Sequence, residues 1–231
     1  MREIVLDTET TGLDALRGDR VVEIGCVELV NRFLTGKTFH CYINPERDMP
    51  SEAFSVHGLS SEFLADKPVF ADIADDFLTF IDEAPLVIHN GVFDLGFLNA
   101  ELGRLEQGPI LRERLVDTLM LARRKHPNGP NRLDDLCARY GIDNSRRTKH
   151  GALLDAEILA EVYLELIGAR QAQLGLMAEG SRIMVAGRRV EASTRLRPTP
   201  LAPRLTDADR IDHAAFVATL GNDAIWGRYS E

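Results

Sequence analysis

Ile4-Val5-Leu6-Asp7-Thr8-Glu9-Thr10-Thr11-Gly12 decides how the chain is read. A short apolar run ends in two carboxylates separated by a single threonine, the pattern of a buried strand reaching a polar edge. Alternate side chains of a strand share a face, so Asp7 and Glu9 project side by side. Like charges at that spacing repel unless a cation lies between them. The strand end therefore predicts a metal site.

Working outward, residues 3–8, 20–31 and 36–44 read as three strands of an antiparallel meander, with Gly36 and Lys37 at a tight turn between the last two. Val69, Phe70, Ile73, Phe77, Leu78 and Ile81 then repeat with helical period behind Pro68. Residues 85–90 read as a central strand buried on both faces, followed by a helix over 93–105. A short strand at 115–117 precedes helices over 118–125 and 131–140, the latter stopped by Gly141. A long helix over 152–167 closes the domain. A meander followed by alternating helix and strand predicts an α/β fold, three layers deep, around a mixed central sheet.

After Gly168 the composition shifts to Gln and Gly and then to Arg and Pro through Pro203, a tether by its content. Helical spacing returns from Thr206 to Leu220, and Trp226 follows. One isolated helix cannot bury an apolar face, so this tail reads as a docking segment for another protein, the alternative being a helix that folds back on its own domain. The divisions are an enzymatic domain over 1–170, a linker over 171–205 and a tail over 206–231.

The formal net charge of −9 argues against a stand-alone nucleic-acid binder, because phosphate affinity rests on basic patches. Cys26, Cys41 and Cys137 show no C-x-x-C spacing and no even count, which disfavours a zinc site or a disulfide framework. No apolar run reaches membrane-spanning length and the first residues carry no signal-like core. A reduced, cytoplasmic location is expected.

His89-Asn90-Gly91-Val92-Phe93-Asp94 puts Asp94 at the start of a helix after a buried strand, a usual place for α/β active sites. Asp155 begins the closing helix, and His150 lies five residues before it. At about 100° per residue the two would not share a helix face, so His150 approaches from the preceding loop and suits proton transfer better than ligation. Asp7, Glu9, Asp94 and Asp155 form an oxygen-donor set for two Mg²⁺ or Mn²⁺ ions. Such a pair stabilises both the attacking and the leaving oxygens of a phosphoryl displacement. The reaction expected is phosphodiester hydrolysis with His150 as general base. The turn at Thr10-Thr11-Gly12 is expected to meet the terminal nucleotide, Gly12 permitting close approach. Arg146, Arg147 and Lys149 run into His150 and are candidates for holding phosphates.

These residues closely resemble the histidine-bearing branch of the DEDD exonuclease superfamily, with D-x-E, H-N-x-x-F-D and H-x-x-x-x-D in order over residues 3–168. The resemblance implies a ribonuclease-H-like fold, two Mg²⁺ or Mn²⁺ ions and 3′→5′ exonuclease activity. Within the branch, residues 51–59 and Asp66-Lys67-Pro68 are similar to the proofreading subunits of bacterial DNA polymerase III. That likeness implies substrate contacts from Glu52 and His57 beside Asp7, Glu9, Thr10, Gly12 and Asp155. It also implies a single-stranded 3′ DNA end as substrate. Gln171-Ala172-Gln173-Leu174-Gly175-Leu176 resembles the peptides that bind the bacterial sliding clamp, through Gln171, Leu174 and Leu176. By the same likeness the tail, with Phe216 and Trp226, docks on the DNA polymerase III alpha subunit, and a theta-like small subunit is a further implied partner. Two alternatives stay open on sequence: an RNA-trimming 3′→5′ exoribonuclease of the same superfamily, and a non-catalytic scaffold for the polymerase and clamp.

Overall fold

Strands β1 (Arg2–Thr10), β2 (Val21–Val30), β3 (Phe33–Tyr42), β4 (Leu86–Ile88) and β5 (Leu115–Asp117) form one sheet in the order β3-β2-β1-β4-β5. The meander β1-β2-β3 is antiparallel, whereas β4 runs parallel to both β1 and β5. The sheet is thus mixed, as expected from the sequence. The structure is a computed structural model that describes residues 1–147, 149–169, 183–185, 188–190 and 205–220.

Helices α1 (Ser51–His57), α2 (Ser61–Leu64), α3 (Phe70–Ile81), α4 (Val92–Arg104), α5 (Thr118–Lys125), α6 (Leu133–Tyr140) and α7 (Ala152–Leu166) complete this unit. The strand period sorts β1 between two cores. Ile4 and Leu6 pack with Phe70, Phe77 and Leu98 of α3 and α4 on one face. Val5 packs with Val27, Val87 and α7 residues Leu159, Ala160 and Tyr163 on the other. Each large apolar side chain buried this way stabilises the fold by about 1.5–3 kcal/mol. The result is a three-layer α/β arrangement with β1 in the middle layer.

Gly25 sets the distance between β2 and α7. It pairs with Asp7 across the β1–β2 ladder, and a Cβ there would stand 2.2 Å from the Leu153 backbone nitrogen. Only glycine lets the first turn of α7 lie directly on the sheet at the level of Asp7.

Two expectations change. The β2–β3 turn falls at Asn31 and Arg32, with φ of 51° and 70°, the two-residue turn whose positive φ values match strand twist. Gly36 instead lies inside β3 at φ 83°. In addition, α1 and α2 occupy a stretch where the sequence pattern predicts no element. Only His57 is buried in α1, so this helix has no apolar stripe to announce it.

Residues 1–173 and 174–231 are separate compact units. In the second, β6 (Ile183–Val185) pairs antiparallel with β7 (Arg188–Val190), and α8 (Asp207–Thr219) starts at Thr206, whose side chain accepts a hydrogen bond from the Asp209 amide. Phe216 of α8 is exposed. Gln171, Leu174, Leu176 and Trp226 lie outside the described residues. Among the described residues no helix is long and apolar enough to cross a membrane.

Candidate active site

The odd-numbered residues of β1 that follow Val5 continue its face toward α7. Asp7 and Glu9 therefore stand over the first turn of that helix, which contains Asp155. Glu9 and Asp155 are both buried, and with His150 they bring one ligand atom each to within 4.8 Å of one another. Asp94 enters from the opposite face of the sheet, in the first turn of α4. Its Oδ1 accepts hydrogen bonds from the Thr8 amide at 3.1 Å and the Thr8 hydroxyl at 2.7 Å. Thr8, the residue between the paired acids, thus fixes the third carboxylate.

Burial and mutual repulsion dominate this wall. Asp7 is pushed well above the usual carboxylate range by burial first and then by the charges of Asp94, Glu9 and Asp155. Burial, followed by the charges of Asp155 and Glu23, raises Glu9 to about 8. Asp94 is raised to about 6 by burial, against the opposing pull of its Thr8 hydrogen bonds. A carboxylate set held this way attracts a cation strongly.

Asp155 behaves differently. Burial works to raise it, but hydrogen bonds from His150 and Arg147 and the Arg147 charge win, so it lies below the ordinary range. Arg147 grips it bidentately, Nε to Oδ1 at 2.6 Å and Nη2 to Oδ2 at 2.7 Å, and reaches Asp134 at 2.7 Å. Such forked pairs are the strong form of charge-assisted hydrogen bond. His150 Nδ1 lies 3.2 Å from Asp155 Oδ2 and 2.7 Å from Arg147 Nη2. His150 precedes α7 on a loop, with its side chain 46% exposed.

That loop rests on α1. The His150 amide donates to the Val56 carbonyl at 3.3 Å, and the Lys149 ammonium sits 5.1 Å from the centre of the Phe54 ring. Arg146 pairs with Glu157 at 3.7 Å. The basic run is therefore taken up by groups of the protein itself, and Arg147 faces carboxylates where the sequence suggested phosphate.

Asp7, Glu9, Asp94, His150 and Asp155 line one cleft of about 780 Å³, joined by Thr8, His89, Arg123, Asp134 and Arg147. Thr10, Gly12, Glu52 and His57 are outside its lining. The Thr10 hydroxyl donates to the Gly12 carbonyl at 2.7 Å. The space a Gly12 side chain would fill is taken by the Asp19 carboxylate, 2.2 Å from the ideal Cβ position, so the close approach at Gly12 is internal. Glu52 is exposed. His57 is buried beneath the His150 loop; its Nδ1 accepts from the Leu59 amide at 3.0 Å. Its Nε2 makes no hydrogen bond of normal geometry, although the Thr10 backbone approaches it. His89 Nδ1 meets the Thr118 hydroxyl at 2.8 Å, which ties the end of β4 to α5.

Sequence reasoning missed Thr8, Gly25 and Asp134. Thr8 was available as the threonine in D-x-E, but Gly25 and Asp134 acquire their roles only through tertiary pairing.

Residues 4–163 match the model of the exonuclease family described as RNase_T. The DNA polymerase III subunit epsilon of Rickettsia conorii is 54% identical over 186 residues, which cover 79% of this chain and 81% of that protein. The Escherichia coli protein of the same name is 51% identical over 186 residues, covering 78% and 76%. Among solved structures, the nuclease domain of 3′hExo, a DEDDh family member bound to rAMP, superposes with a TM-score of 0.62 at 16% identity, over 73% of this chain and 92% of that one. Exonuclease X in complex with 5′ overhanging duplex DNA gives 0.58 at 23% identity, over 72% and 91%. These two show a shared ribonuclease-H-like fold. The chain belongs to the exonuclease family and, within it, to the epsilon subunits of bacterial DNA polymerase III.

Proposed function

We propose that this chain is a proofreading 3′→5′ exonuclease that hydrolyses mispaired 3′-terminal nucleotides for a replicative DNA polymerase. The observation that carries the reading is the convergence of Asp7, Glu9, Asp94 and Asp155 with His150 on one cleft, in a chain more than half identical to epsilon subunits over 186 aligned residues.

The family depends on divalent metal, and the residues present fit it. The four acids supply oxygen donors, and burial raises three of them, with the charges of neighbouring acids adding to it at Asp7 and Glu9. Hard ions that take carboxylate oxygens, Mg²⁺ or Mn²⁺, suit such a set. Asp7, Glu9, Asp94 and Asp155 are the residues proposed to hold two of them. Bound there, the ions supply charge stabilisation to an in-line phosphoryl displacement.

The chain's own groups do the rest. Asp155 Oδ2 stands 3.2 Å from His150 Nδ1 and so orients the ring, which is the proposed acceptor of a proton from the attacking water. Arg147 fixes the Asp155 carboxylate in one orientation through its two-point grip. Thr8 does the same for Asp94. Asp7, Glu9, Thr10, Gly12, Glu52, His57 and Asp155 are the proposed contacts of the terminal nucleotide. Family likeness supports that set, and the hydrogen bond from the His150 amide to the Val56 carbonyl, which joins α1 to the His150 loop, is consistent with it for Glu52 and His57.

In the proposed domain plan, residues 1–170 are the exonuclease, 171–205 a clamp-binding peptide and linker, and 206–231 a polymerase-docking tail. The partners are the DNA polymerase III alpha subunit, the sliding clamp through Gln171, Leu174 and Leu176, and a theta-like small subunit. Exposed Phe216 on α8 and Trp226 are the proposed anchors on the polymerase. This assembly places the protein in the cytoplasm and lets an acidic subunit receive DNA from its partners.

Digestion of a mispaired DNA primer and of short RNA, each with and without the polymerase subunit, tests the reading. Faster digestion of the mispaired primer, stimulated by polymerase, is expected. Preference for RNA that polymerase leaves unchanged would instead assign an RNA-trimming enzyme, and a chain inert with Mg²⁺ or Mn²⁺ would be a scaffold.

A further inference from the structure

A second groove, of about 500 Å³, runs from the catalytic cleft between the start of α4 and helix α5. The two share Asn90, Leu119 and Arg123, so the groove adjoins the cleft. Arg112, Arg123 and Arg124 line the groove, and all three are exposed. Among the described residues, no ion pair or hydrogen bond engages their guanidinium groups. Other arginines are occupied: Arg2 by Glu28, Arg20 by Glu101, Arg47 by Asp19 and Arg147 by Asp155. The one acid in the groove, Asp117, is committed to capping α5 through the Leu119 and Met120 amides.

Three uncommitted arginines on one surface of a chain with net charge −9 call for an anionic occupant. Planar guanidinium forks match phosphate oxygens. Exposed Val92 and Met120 border the same groove and offer apolar contact to bases. Because the groove adjoins the cleft, it is a neighbouring path for a strand whose end the cleft holds.

We propose that the groove carries the phosphates of single-stranded DNA upstream of the nucleotide being removed, with Arg112, Arg123 and Arg124 on the backbone. The proposal rests on the exonuclease reading of the cleft. It gives an acidic subunit a local, sequence-independent grip on the strand. It also predicts that substrates long enough to enter the groove bind more tightly than those confined to the cleft.

The test uses the full chain with Arg112 and Arg124 changed together to Gln, since neither lines the catalytic cleft. Two probes are compared under Mn²⁺: the p-nitrophenyl ester of thymidine 5′-monophosphate, which fills the cleft alone, and single-stranded DNA oligonucleotides of increasing length. The variant is expected to hydrolyse the ester at the wild-type rate while KM for the longer oligonucleotides rises several-fold. The slope of log KM against log salt should fall by roughly 0.7 for each arginine–phosphate pair removed. The double change to Lys should restore most of the salt dependence. Should the double variant fold poorly, Arg112→Gln and Arg124→Gln singly carry the same reading, each with a smaller change in slope. Oligonucleotide kinetics equal to wild type at every length would overturn the proposal. So would unchanged kinetics together with failure to capture the polymerase subunit, which would make the groove a protein interface. A wild-type chain that cleaves neither probe would instead remove the exonuclease reading, and this proposal with it.

Discussion

Asp7, Glu9 and Asp94 stand on a strand end and a helix start with their carboxylates crowded together, whereas Asp155 and His150, on the facing wall, are gripped by Arg147 from a loop. On the first wall burial raises every pKa, and like charge adds to it at Asp7 and Glu9. On the second, an internal guanidinium lowers Asp155. The contrast separates two ways of keeping acids in a cleft. The first wall holds repulsion that a bound cation or a proton relieves, and the second brings its own counter-charge and a half-exposed histidine.

Removing a member of the first wall should have the largest effect. Asp7→Asn is expected to abolish metal-dependent cleavage and, because it deletes a half-buried repulsive charge, to raise Tm measured in EDTA. A lower Tm in EDTA would mean that the first wall is not strained, and the contrast would collapse. Next in size is His150→Ala, expected to slow turnover by roughly 10² to 10⁴ while Mn²⁺ affinity in calorimetry stays close to wild type. Markedly weaker Mn²⁺ binding would move His150 into the ligand set and blur the division between the walls.

Arg147→Gln sharpens the comparison from the loop side. It leaves Asp155 buried without its counter-ion, so Tm in EDTA should drop by several degrees and Mn²⁺ should restore most of the loss. Unchanged stability would show that the two-point grip on Asp155 contributes little. The smallest effect concerns pH. Glu9 has a folded pKa of about 8 against an ordinary 4.5, so between these values the folded state holds a proton that the unfolded state has lost. Stability therefore falls as pH rises through that window. His57 and His89, lowered by burial, act in the opposite sense only below about pH 6.5, where an unfolded histidine is protonated. Without metal, Tm should decline from pH 6.5 to 8, and the rise in Tm on adding Mn²⁺ should be larger at pH 8.

The first wall was the more legible of the two. A strand's period of two places Asp7 beside Glu9 whatever the rest of the fold does, and the buried run before His89 puts Asp94 at a helix start. His150 was placed on a loop by its helical phase against Asp155 alone. What Arg147 does was not legible, because a basic residue before a histidine suggests phosphate equally well until Asp134 and Asp155 are brought to it by α6 and α7. Gly25 was silent for the same reason: its value lies in the approach of Leu153, far along the chain. The β2–β3 turn was misplaced because Gly36 is the stronger turn residue in isolation, while Asn31 and Arg32 take positive φ under the constraint of pairing. The tail was legible only through family likeness.

The most direct test of the metal-dependent exonuclease is digestion of single-stranded DNA labelled at its 5′ end, followed with Mg²⁺ or Mn²⁺ and again in EDTA, by the full chain and by Asp7→Asn. The predicted result is stepwise shortening from the 3′ end that needs the divalent ion and disappears in the variant. Cleavage that persists in EDTA, or that survives the loss of Asp7, would contradict it.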